Sequence, residues 1–139
     1  MTAQSMETIF IDGKKHFMAS EPFGQYLMSI TEAPDFYPPN TACWRGYTGT
    51  WKIEDDRLYL VSLNGYIKTQ EKEYQGIDMN YFFPHQKSVF AEWFSGEIRI
   101  PEGKMVQYIH MGYESLYEKD LLLKIEKGII VNRLIVENI

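Results

Sequence analysis

The chain has 139 residues, 45% of them hydrophobic and 15% aromatic, which is enough for one folded domain with its own core and too apolar for a disordered chain. Its net charge is −5 and its only adjacent basic pair is Lys14-Lys15, so the basic face that a nucleic-acid binder needs is missing. A single cysteine, Cys43, rules out an intramolecular disulfide; no apolar run approaches the length of a membrane span, and the first residues lack the basic start and apolar run of a signal peptide. The expectation is a soluble cytoplasmic protein with neither nucleic acid nor membrane as partner.

In chain order the pattern is one of hairpins. Thr8-Ile9-Phe10-Ile11 followed by Asp12-Gly13 opens the chain. Its register is not clean: Ile9, Ile11 and Phe17 align only with a three-residue loop. From Ala19 to Gly46 the prolines Pro22, Pro34, Pro38 and Pro39 point to loops, because a residue before proline is pushed out of the helical region. Gln25–Ile30 inside this stretch reads equally as a short strand or a helical turn.

The next hairpin is explicit. With Asp55-Asp56 as a two-residue loop, Glu54 faces Arg57, Ile53 faces Leu58, Lys52 faces Tyr59 and Trp51 faces Leu60. Trp51, Ile53, Leu58 and Leu60 then share one apolar face, while Glu54 and Arg57 pair on the other. Between Asn64 and Phe94, Thr69–Glu73 is polar and reads as exposed, and Ser88–Phe94 reads as a strand.

Two further hairpins are predicted with three-residue loops, Pro101-Glu102-Gly103 and Glu126-Lys127-Gly128, each ending in a glycine expected to have positive φ. In the first, Ile98, Ile100, Val106 and Tyr108 share a face. In the second, Leu121, Leu123, Ile125, Ile129 and Val131 share a face, and Leu122 and Ile130 make the reverse side apolar, so both faces should be covered. The spacing is too irregular for a propeller or solenoid. The pattern predicts one β-rich domain over 1–139: all-β, or mainly β with one short helix, its antiparallel hairpins forming a curled sheet, a sandwich or a small barrel.

The blocks Trp44-Arg45-Gly46-Tyr47-Thr48-Gly49-Thr50-Trp51 and Phe94-Ser95-Gly96-Glu97-Ile98-Arg99-Ile100-Pro101-Glu102-Gly103, with His110–Leu121, resemble a group of small uncharacterised bacterial proteins. The resemblance runs over roughly the second two-thirds of the chain. It implies a bacterial, cytoplasmic, single-domain protein and brings no activity or catalytic residue with it.

Chemical motifs are sparse. His16, His85 and His110 have no metal-binding spacing, and Cys43 has no Cys or His neighbour, so no metal or other cofactor is expected. The sequence has no Gly-x-Ser-x-Gly elbow and no phosphate loop. The densest polar segment holds His110, Tyr113, Glu114, Tyr117, Glu118 and Asp120. His110 beside Glu114 is an acid–base pair in one reading and part of a solvated turn in the other. Large rings crowd the connecting segments: Trp44, Tyr47, Tyr81 and Trp93. They either cap the open end of the sheet or form a binding surface.

Two functions fit. One is a protein-binding module for a basic partner, in concrete form a bacterial immunity protein that neutralises a toxin. Its binding residues would be Trp44, Tyr47, Tyr81, Trp93, Tyr113, Glu114, Tyr117 and Glu118. The other is a small-ligand binder or enzyme with a pocket near His110 and Glu114. The first is preferred, with no catalytic residue.

Overall fold

Alternation of apolar and polar residues builds nine strands in one mixed sheet, and the computed structural model describes residues 4–38, 43, 45–71, 73–109, 112–113 and 115–138. The elements are β1 (Glu7–Ile11), β2 (Lys14–Met18), helix α1 (Phe23–Ser29), β3 (Tyr47–Glu54), β4 (Arg57–Lys68), β5 (Tyr74–Asp78), a 3₁₀ turn (Met79–Tyr81), β6 (Val89–Phe90), β7 (Gly96–Gln107), β8 (Leu116–Glu126) and β9 (Ile129–Glu137). The strand order is β2-β1-β3-β4-β9-β8-β7, with β5 and β6 added beside β4. All pairs are antiparallel except β1 with β3. The sheet curls until its two ends approach: the Ala19 amide donates to the Arg99 carbonyl at 2.8 Å, but no ladder among the described residues closes a barrel.

The inner face forms the core. Ile9, Trp51, Leu58, Leu60, Ile98, Ile100 and Leu123 are fully buried there. The β3–β4 hairpin has the predicted register, from Glu54 opposite Arg57 to Trp51 opposite Leu60. Asp55 and Asp56 both have positive φ, 52° and 60°, the backbone of a two-residue turn whose twist matches that of the strands. A bulge at Val61 then changes the parity of β4, so that Leu63 and Ile67 also point inward. Gln25–Ile30, ambiguous by periodicity, falls largely within α1. That helix sets Phe23 over the end of the sheet, where it meets Tyr26, Phe82 and Tyr47 at ring-centroid distances of 5.2, 5.0 and 5.6 Å.

Several expectations are corrected, one being the strand over Ser88–Phe94, of which only Val89–Phe90 pairs in the sheet. The first hairpin closes through two residues, Asp12 and Gly13, not three; Ile9 then faces His16, and Phe17 lies exposed. The predicted turn at Pro101-Glu102-Gly103 does not exist, because β7 runs straight through it. Gly103 does have the expected positive φ of +81°, but as part of a bulge in which it and Lys104 stand opposite Glu118. Pairing with β8 prevails over the local turn signal, and Val106 and Tyr108 fall on exposed backbone beyond the core.

The last hairpin also turns through two residues, Lys127 and Gly128. Ile125 therefore faces Ile130 rather than Ile129. A one-residue difference in a loop sends every following side chain to the opposite face. Ile130 packs against the core, while Ile129, Val131, Leu134 and Ile135 are 42%, 50%, 54% and 60% exposed. The hairpin is not covered on both faces.

Candidate functional site

The parity of β1 places Glu7 on the same inward face as Ile9 and Ile11, and the carboxylate is fully buried. Three donors meet it. Arg45 Nε and the Gly49 amide donate to Oε2, each at 3.1 Å, and Trp51 Nε1 donates to Oε1 at 2.8 Å. Gly49 is where the chain makes room: a Cβ there would stand 2.8 Å from Trp51 Nε1 and 3.0 Å from Glu7 Oε1. Burial pushes the Glu7 carboxyl up to about 7, against the Arg45 charge and the three hydrogen bonds, which pull it down. Arg45 stays charged: burial lowers its pKa, but the Glu7 charge and smaller contributions from Tyr113, Cys43 and Glu21 more than offset it. Burial raises the phenols of Tyr47 and Tyr113, so both remain neutral donors.

Directly beside this network a cleft of about 780 Å³ opens between β3, β4 and β5. Its floor is backbone. A Cβ on Gly65 would lie 2.8 Å from the Gly46 carbonyl, and one on Gly46 would lie 2.8 Å from Phe36 Cβ, so the close approach of these segments requires glycine. Tyr47 lines the inner wall, and Tyr66 and Tyr81 stand on the rim, 48% and 51% exposed. Asn64, Gln75 and Asn80 add amide groups. Asp78 is the one formally charged residue among the described lining residues, and its carboxylate accepts from the backbone N–H of Asn80 at 2.9 Å. Beyond the rim, the exposed Glu71 and Glu73 flank the β4–β5 turn.

The sequence-predicted residues are dispersed. Tyr47 and Tyr81 reach this cleft. Tyr113 and Tyr117 line a second cavity of about 430 Å³, with Met6, Phe17 and Met105. Glu118 is held locally, its Oε1 accepting from the Lys104 amide at 3.1 Å. Trp93 joins the aromatic cap under α1, stacked on Phe83 at 5.9 Å, and its Nε1 donates to the Pro22 carbonyl. Trp44, His110 and Glu114 lie outside the described residues. Among the described residues no group of His, Cys, Asp and Glu could hold a metal ion.

Sequence reasoning overlooked Glu7, Arg45, Tyr66 and Asp78. For Glu7 a signal existed: it shares parity with Ile9 and Ile11, so an acid occupies a core position. For Tyr66 and Asp78 there was none, because they meet only after β4 and β5 pair. Comparison of the chain with family models, with curated proteins and with solved structures found no match.

Proposed function

We propose that the chain is a protein-binding module whose β3–β4–β5 cleft receives a basic segment of another protein. The observation that carries this reading is the chemistry of the cleft. Exposed tyrosines, amide side chains and glycine backbone surround a single carboxylate, with no cation among the described lining residues. Tyrosine supplies large contact area at low entropic cost, and amides adapt their hydrogen bonding. The net charge of −5 favours a basic partner electrostatically. In its most specific form, which the bacterial resemblance motivates, the protein is a cytoplasmic immunity protein that occupies and silences a toxin.

The test is affinity capture from the encoding organism with the wild-type chain and with the double variant Tyr66→Ala/Tyr81→Ala, at low and high salt. A basic partner held by the wild type, released by salt and lost by the variant supports the reading. A partner retained equally by both proteins, or no partner at all, refutes it. The second cavity favours an alternative, a small-ligand binder or enzyme, because its walls of Met6, Phe17, Met105 and Tyr117 are largely apolar and concave. The two readings separate at His110→Ala, which leaves partner capture intact under the first and abolishes ligand binding or turnover under the second.

A further inference from the structure

Among the described residues β9 has an open edge. It meets β4 through one residue pair only, Arg57 with Ile129, closed by the Ile130 amide donating to the Asp56 carbonyl at 2.7 Å. Beyond that point β9 runs past the β3–β4 turn with β8 on one side and an open cleft of about 690 Å³ on the other. The amide of Asn138 donates to Glu118 at 2.9 Å, so by antiparallel alternation Val136, Leu134 and Asn132 bond toward β8. Arg133, Ile135 and Glu137 therefore point their backbone N–H and C=O groups outward. The Arg133 amide fits this: its acceptor at 2.9 Å is the side chain of its neighbour Asn132, not β8. Unprotected edges of this kind template further strands, and proteins normally blunt them.

We infer that two copies of the chain pair through this edge, β9 against β9, antiparallel about a two-fold axis at Ile135. Three features select that occupant and that register. The axis sets Ile135 opposite its own copy, so the outward N–H and C=O groups of both meet in a hydrogen-bonded pair. It sets Leu134 opposite Val136, apolar against apolar. It sets Arg133 opposite Glu137, twice by symmetry, so opposite charges meet on one face. Moving the axis by one residue to Leu134 would put inward-bonded amides face to face and would oppose Arg133 to Ile135. Arg133 already holds Asp56 at 2.6 Å, and its guanidinium has further donors for a second carboxylate. Apolar side chains that stand half exposed in one chain, Leu134 and Ile135, would be covered in the pair.

The experiment is sedimentation of the full chain from micromolar to millimolar concentration, with amide hydrogen exchange at both ends of the series. The expected mass rises from 16.4 kDa toward twice that value. Exchange at Ile135 and Glu137 slows as the mass rises, while Leu134 and Val136, already bonded to β8, do not change. Ile135→Pro removes the central outward donor without removing a β8 bond, and should remain monomeric throughout. Glu137→Arg, an exposed change that leaves the fold intact, should weaken the pair about tenfold by placing like charges opposite each other at both symmetric positions. A wild-type chain that stays at 16.4 kDa across the series overturns the inference. So does a dimer of equal strength in both variants, or edge protection that appears only when an extended peptide is added to a monomer.

Discussion

The buried carboxylate of Glu7 makes stability depend on pH in an unusual direction. An ordinary glutamate in the unfolded chain titrates near 4.5, while in the folded protein burial lifts it to about 7. The folded state therefore binds the proton more tightly than the unfolded state. Its contribution is fully present below about 4.5 and is lost as pH rises toward 7. At about 1.36 kcal/mol per pH unit, the interval from 4.5 to about 7 amounts to about 3 kcal/mol. Glu7→Gln isolates this effect. The amide cannot ionise; it keeps one acceptor oxygen, for Trp51 Nε1 or for the Gly49 amide, and the bond lost at the other position is a pH-independent offset between the two proteins. Chemical denaturation of both proteins between pH 4.5 and 8, followed by tryptophan fluorescence, provides the assay. Other titrating groups cancel in the difference between the two, so the wild type should lose about 3 kcal/mol relative to the variant over that interval. Parallel stability curves would refute the reasoning. They would mean that Arg45 Nε, Trp51 Nε1 and the Gly49 amide stabilise the ionised carboxylate as much as burial opposes it. A wild type that gains stability relative to the variant would show that these donors win outright.

Two further predictions concern the packing of the sheet. Trp51→Ala should cost roughly 3–5 kcal/mol in denaturant unfolding, since the ring is fully buried and its Nε1 is a donor to Glu7; a loss under about 1 kcal/mol would contradict that packing. Gly128→Ala should destabilise by more than about 1 kcal/mol, beyond the backbone cost alone. Gly128 combines a φ of +81° with a Cβ position 2.6 Å from the Ala91 carbonyl oxygen, so the β8–β9 turn and the β6 segment would have to separate. A neutral result in thermal unfolding would show that this contact opens freely.

Local signals made the all-β class, the β3–β4 register and the glycines with positive φ legible from sequence. Alternation places Trp51, Leu58 and Leu60 on one face, and two adjacent acids between apolar runs leave a single sensible turn. The same local grammar misread Pro101-Glu102-Gly103. A glycine with positive φ suits a turn and a bulge equally, and only the long pairing of β7 with β8 distinguishes them. It misread Ile129 and Val131 as well, because periodicity cannot show whether a loop has two residues or three, and that one residue decides which face meets the core. Of the cleft, only Tyr47 and Tyr81 were legible. Gly46, Tyr66 and Asp78 are far apart in the chain, and their meeting depends on β4 pairing with both β3 and β5. Residue pattern along the chain determines which segments become strands. Only tertiary pairing, in which sheet hydrogen bonds and core packing outweigh local preference, decides which strands are neighbours, where Glu7 is sealed beside Arg45, and which edge of β9 is left open.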